Sequence, residues 1–211
     1  MPRNGQSTRA EIMHVAMTRF VQQGYDKTSL REIAEACGVT KAALYYYFRT
    51  KDEIVRAALE EYSIAMRELL DWIEATPRSM DRNRELVDRV LELLDGNGAV
   101  ALRFVQANPT VLARDDFGER HVDYVKALVK AIAGPDPSAD AALRATMTVG
   151  VLMLSSLDAS PIGPIGDADE RRTAARELAL QTLAPISERD GERHDQPAQP
   201  EKERQQRKHR G

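Results

Sequence analysis

Thr28 to Lys51 reads T-S-L-R-E-I-A-E-A-C-G-V-T-K-A-A-L-Y-Y-Y-F-R-T-K. Thr28 or Ser29 can cap a helix, and Glu32, three residues after Ser29, completes a capping box. Ile33 is apolar and points inward, and Ala34 is small enough for a second helix to cross closely above it. Gly38 follows four residues later, where a tight turn needs a positive φ. Val39 fills the angle between the helices, Thr40 caps the next helix, and Leu44 and Phe48 anchor it. A small residue, a glycine and a leucine at these offsets form the steric outline of a helix-turn-helix. The second helix then exposes Thr40, Lys41, Ala42, Ala43, Tyr45, Tyr46 and Tyr47. Three consecutive helical side chains span about 200°, so at least one of the three tyrosines turns inside.

Outside this stretch the chain reads as helical almost throughout, with no alternating strand pattern of useful length. Helix 1 is predicted from about Thr8 to Gln23, with Ser7 as cap, Ile12, Ala16 and Phe20 inward and Gly24 as its stop. Helices 2 and 3 are the two of the turn motif. Helix 4 is predicted from about Lys51 to Ala75. Val55, Leu59, Tyr62, Met66, Leu69 and Ile73 repeat there in steps of four and three, and Pro77 ends it. Helices 5 to 9 are predicted at about Asn83 to Asp95, Ala99 to Ala107, Phe117 to Ala133, Ala139 to Leu157 and Asp167 to Leu183. The later half of helix 8 is apolar on all faces, and helix 9 carries Ala168, Ala174, Ala175 and Ala179 for close helix approach. The expected fold class is all-α with about nine helices. It divides into a helix-turn-helix domain over 1–50, a helical body over 51–186 and a disordered charged tail over 187–211. That tail holds 13 charged residues of 25 and no Leu, Ile, Val or aromatic.

Composition supports a packed core, with 42% hydrophobic and 30% charged residues over a length of 211. The net charge of −3 excludes a polybasic coat. Residues 1–51 nevertheless carry eight basic and four acidic side chains, and the remaining 160 carry 22 and 29. A basic end on an acidic body suits a local anionic partner. One cysteine, Cys37, excludes a disulfide framework and a multi-cysteine zinc site, and a reducing cytoplasm is the expected home. The polar start from Met1 to Ser7 lacks the apolar run of a signal peptide, and no stretch reaches membrane-spanning length. His14, His121, His194 and His209 are scattered without ligand spacing, so no metal or cofactor is expected. No Gly-rich phosphate loop, Gly-x-Ser-x-Gly or His-Glu-x-x-His occurs, so the chain does not read as an enzyme.

Thr8 to Leu59 resembles the tetracycline-repressor (TetR) family of bacterial transcription regulators. The shared pieces are an amphipathic helix ending in F-x-x-x-G-Y (Phe20 to Tyr25), then T-S-L-R-E-I-A, then A-C-G-V-T-K-A-A-L-Y-Y-Y-F-R-T-K. The family usually has Gly or Ala at the position of Ala42, and often His where Tyr47 stands. The resemblance implies that helices 1 to 3 bind operator DNA, helices 4 to 7 frame a small-molecule pocket, and helices 8 and 9 build a homodimer. The implied DNA contacts are Lys41 to a phosphate or a guanine edge, and Thr40 to the backbone or a thymine methyl. Ala42 and Ala43 let the helix sit deep in the groove. Tyr45, Tyr46 and Tyr47 donate to phosphates, and Lys51 and Thr28 meet phosphates at helix starts. Tyr62, Met66, Trp72, Phe104, Phe117 and Met147 are candidate pocket walls, and Arg103, Asn108 and His121 candidate polar groups within it. Core packing is the competing reading for each. The implied function is that of a ligand-responsive repressor. It binds a pseudo-palindromic operator as a dimer and is released by a small, hydrophobic effector. The alternative is a DNA-binding regulator with no small ligand, whose body serves dimerisation or a protein partner.

Overall fold

The computed structural model describes residues 5–95, 97–108, 117–156 and 166–194. Among them are nine helices: α1 (Gly5–Gln23), α2 (Leu30–Ala36), α3 (Lys41–Tyr47), α4 (Lys51–Ala75), α5 (Met80–Asp95), α6 (Asn97–Ala107), α7 (Phe117–Ala133), α8 (Ala139–Ser155) and α9 (Ala168–His194). No strand occurs among the described residues.

Local chemistry fixes most boundaries. Ser29 accepts from the Glu32 amide while the Glu32 carboxylate accepts from the Ser29 amide, so the capping box at the start of α2 is complete. Thr40, Thr50 and Ser138 each accept from the amide three residues on, starting α3, α4 and α8. Gly24 closes α1 at φ +93, with its amide on the Phe20 carbonyl. Gly38 sits at φ +64 between α2 and α3, and the Val39 amide reaches back to the Ala34 carbonyl.

Nothing lies within 4 Å of a Cβ placed at Gly38, so the cost of a side chain there is purely conformational. Gly38→Ala is expected to lower the unfolding free energy by about 1 kcal/mol, measured by urea titration. An unchanged or raised midpoint would mean that the turn does not depend on its left-handed residue.

The helices assemble in two connected parts. Ile12, Ala16, Phe20, Ile33, Ala34, Leu44 and Phe48 close the core of α1, α2 and α3. α4 leaves that unit and packs on α1, α5, α6 and α7. Its buried stripe is Val55, Leu59, Tyr62, Met66, Leu69 and Ile73, the spacing expected from the sequence. α8 and α9 pack mainly on each other, α8 also on α7 and both on α5. α9 is further tied to α5 by the Arg176–Asp88 fork, at 2.5 and 2.9 Å.

Three starts lie earlier than expected: α1 at Gly5, α5 at Met80 and α6 at Asn97. In α5 the signal is Ser79, which accepts from the Arg82 amide at 3.0 Å. α9 runs to His194, eight residues into the segment expected to be disordered. The physical reason is that adding residues to a packed helix needs no new nucleus, and Glu and Arg are good helix formers. Residues 195–211 lie outside the described ones, as does Leu157, the expected end of helix 8.

Candidate nucleic-acid interface and the body behind it

α3 is held from below by Leu44, which is fully buried, and by Phe48 at its C-terminal end. The opposite face is Lys41, Ala42, Tyr45 and Tyr46, all exposed. Tyr46 is 84% and Tyr45 40% exposed. Tyr47 is the tyrosine that turns inward; it is half-buried against the core and meets Tyr46 edge-on at 5.1 Å. Ala43 is half-buried at the margin of this face, and Thr40 is exposed beside it. The Lys41 ammonium lies 5.5 Å from the centre of the Tyr45 ring, a cation–π contact within one helical turn.

Two expected phosphate contacts need correction. Thr28 is only 1% exposed, and its hydroxyl donates to the Gly24 carbonyl at 3.0 Å. Its position inside the loop, not at the helix cap, removes it from the surface. Lys51 is half-buried, donates to the Tyr25 carbonyl at 2.6 Å and lies 4.4 Å from the Tyr25 ring centre. The Tyr25 hydroxyl in turn donates to Asp52 at 2.6 Å. The first turn of α4 therefore clamps the loop between α1 and α2, and Lys51 is primarily part of that clamp.

Tyr25 was not among the residues singled out from the sequence, although it stands in the F-x-x-x-G-Y segment. Its ring packs on Phe20 at 5.0 Å and on Phe104 at 5.8 Å, and Phe104 meets Phe20 at 5.9 Å. Phe104, chosen as a pocket wall, thus faces α1 and joins α6 to the helix-turn-helix unit.

The other proposed pocket residues divide. Tyr62, Phe117 and His121 come together: the Tyr62 hydroxyl lies 2.9 Å from His121 Nδ1, Tyr62 and Phe117 meet at 5.8 Å, and the Phe117 and His121 rings stack at 6.1 Å. Met66 is buried on the same helix as Tyr62. Arg103 is half-buried on α6. Asn108 donates to the Phe104 carbonyl at 2.9 Å, so its amide closes the end of its own helix. Trp72 lies half-buried under the Arg89 guanidinium, 4.3 Å from its ring centre, on the α5 side of α4. Met147 is 52% exposed and is not a wall; a helix that is apolar all round gives no sequence signal of which face turns outward. A cleft of about 640 Å³ lies between the end of α4, the start of α5 and the end of α7. None of these candidates lines it. There Arg78 donates to the Ala131 and Ile132 carbonyls and Arg82 to the Ala131 carbonyl, capping α7.

Burial pushes the Tyr62 phenol up, helped by Tyr124, and pushes the His121 imidazolium down, so the pair is neutral. The sign for stability follows. Below pH 6.5, the ordinary value, the unfolded chain takes up a proton that the folded His121 resists. Stability is therefore lost as pH falls from about 6.5 toward the lowered value. Urea titrations of wild type and His121→Gln are expected to diverge in slope over that window, with the variant flatter. Parallel curves would show that His121 is not held neutral.

Leu143, Met147 and Leu154 on α8 and Leu178 on α9 are large apolar side chains left exposed. The three on α8 recur at four and seven residues, one helical face. Among the described residues no helix is long and apolar enough to cross a membrane, and no group of three or more His, Cys, Asp or Glu could hold a metal ion.

A capped three-helix unit whose last helix presents an exposed face, mounted on a helical body, has helix-turn-helix architecture. The sequence profile of bacterial regulatory proteins, tetR family, matches residues 12–58, from α1 into α4. The HTH-type transcriptional regulator AcrR of Shigella flexneri is 38% identical over 89 residues, 41% of each chain. The HTH-type transcriptional repressor KstR2 of Mycobacterium tuberculosis is 33% identical over 93 residues, 43% of this chain and 40% of its own. The chain thus spans about two-fifths of these curated relatives in sequence. The solved structure of M. tuberculosis KstR2 matches with a TM-score of 0.59 at 20% identity, over 85% of this chain and 94% of that one. The crystal structure of AibR in complex with isovaleryl coenzyme A and operator DNA matches with a TM-score of 0.56 at 20% identity, over 81% and 97%. At that identity the structures establish the fold of the body.

Proposed function

We propose that the protein is a transcriptional repressor that binds operator DNA as a homodimer, with α3 of each protomer in a major groove. The exposed face of α3 on its rigid, capped support carries this reading. An α-helix fits the major groove, and two symmetry-related helices read a pseudo-palindrome. The relatives named as a regulator and a repressor, and the AibR complex with operator DNA, support it. The apolar strip on α8 and α9 supports a second copy as its cover. The Lys41, Tyr45 and Tyr46 contacts inferred from the sequence stand within this reading, and Thr40, Ala42 and Ala43 complete the approach to the groove.

Release follows from linkage. An effector that binds better to the arrangement with the recognition helices misplaced weakens DNA binding by the same factor. The path in this chain is α6 through Phe104 to Phe20 and Tyr25, and α4 through Lys51 and Asp52 to Tyr25. The effector is small and apolar, in keeping with the apolar surroundings of Tyr62, Met66 and Phe117, which are buried in the body. A second reading, regulation without a small ligand, is favoured by one observation: Phe117 is fully buried and Tyr62 is already bonded to His121. A thermal shift from any metabolite in a panel would select the first reading.

Fluorescence anisotropy with DNA from the protein's own upstream region tests DNA binding directly. Tight binding that falls steeply with salt, and that Lys41→Ala and Tyr46→Ala both weaken, is the expected result. Weak binding indifferent to both substitutions would contradict it for that region.

A further inference from the structure

Resting on the DNA-binding reading, we propose that the protein selects operator half-sites built on one guanine beside thymines, with Lys41 reading the guanine and the alanine face reading thymine methyls. The argument is one of inventory on an exposed surface. Thr40 to Phe48 contains no arginine, asparagine, glutamine, aspartate, glutamate or histidine. Adenine is read in the major groove by the paired donor and acceptor of Asn or Gln, and cytosine by a carboxylate. Neither device exists on α3. Guanine offers two acceptors, O6 and N7, which suit a cation. Lys41 is the one cation on the helix, it is exposed, and its ammonium lies 5.5 Å from the centre of the Tyr45 ring.

Ala42 and Tyr46 are four residues apart and both exposed, opposite the buried Leu44, so they form the crest of the face. At Ala42 the groove meets only a methyl group. A methyl has no hydrogen bond to offer, and its complement on the base-pair edge is the thymine C5 methyl. Ala43 and the Thr40 methyl flank it. Thr40 Oγ1 already accepts from the Ala43 amide at 3.1 Å, which leaves its proton for a phosphate. The Tyr46 phenol, more exposed than that of Tyr45, reaches the sugar–phosphate edge. The apolar share of this face is therefore large, and the discrimination that α3 itself can supply rests on one ammonium and on methyl contacts.

The experiment is selection from randomised duplexes with the full-length protein, followed by binding to the selected duplex and its variants. The expected half-site has one dominant guanine, favoured on the order of tenfold over the other bases, with neighbouring thymines. Lys41→Gln is expected to convert the guanine column to adenine, because glutamine pairs with adenine N6 and N7. That gain of a new preference requires a folded protein, so loss of folding cannot imitate it. Deoxyuridine in place of each neighbouring thymine, which removes only the methyl, is expected to weaken binding several-fold. Selected half-sites without a dominant G·C pair, or a G·C pair unmoved by Lys41→Gln, would overturn the proposal while leaving DNA binding intact. Thymine columns indifferent to deoxyuridine would overturn its methyl half. No enrichment of any sequence would overturn both the proposal and the DNA-binding reading beneath it.

Discussion

Phe104→Ala is expected to destabilise the protein by about 3–5 kcal/mol, the range for emptying a fully buried phenylalanine site. Phe104 has no exposed surface, and it packs on Phe20 and Tyr25 in the helix-turn-helix unit. Those partners are fixed by their own contacts, Phe20 within the core of α1 and Tyr25 by Lys51 and Asp52, so the cavity cannot easily collapse. The same substitution cuts the aromatic link between α6 and α1. Urea unfolding should therefore show a lower midpoint, and operator affinity should respond less to effector than in wild type. A loss under about 1 kcal/mol would mean that the two parts do not share a core.

Leu143→Glu combined with Met147→Glu is expected to leave a folded, helical monomer. Both residues are exposed on one face of α8, so the fold of the single chain does not need them. In the proposed dimer they become buried. An unpaired carboxylate in such an interface costs several kcal/mol, so the dimer dissociation constant should rise on the order of a hundredfold or more. Sedimentation velocity reads the monomer, and operator affinity should fall in parallel because one protomer covers one half-site. Persistence of the dimer with both substitutions would place the interface elsewhere.

The sequence is most legible where a boundary has a local cause. α4 begins and ends as expected because Thr50 caps it and Pro77 follows it, and α7 keeps its expected bounds from Phe117 to Ala133. The turn at Gly38, the capping box at Ser29 and Glu32, and the inward Leu44 rest on neighbours within a few residues. Long-range facts are less legible. Of the two candidate caps Thr28 and Ser29, Ser29 takes the role and Thr28 is buried with its hydroxyl on the Gly24 carbonyl. Lys51 stood at a helix start, where an anion is a natural partner, but Tyr25, 26 residues earlier, occupies it. Met147 and Trp72 are apolar residues of the right kind on helices whose orientation only the packed neighbours decide. The end of α9 was hidden by composition, since a charge-rich segment reads as disorder until it continues a packed helix.

The most direct test of the central claim, two recognition helices fixed on one duplex, is affinity as a function of half-site spacing. Duplexes carrying two selected half-sites are lengthened between them by five and by ten base pairs, at constant salt. The account predicts that five added base pairs, half a helical turn, weaken binding sharply by turning one groove away. Ten added base pairs restore the face of the duplex though not the distance, so any recovery follows the helical repeat. Affinity that ignores both insertions, and that Lys41→Ala leaves unchanged, would contradict the account.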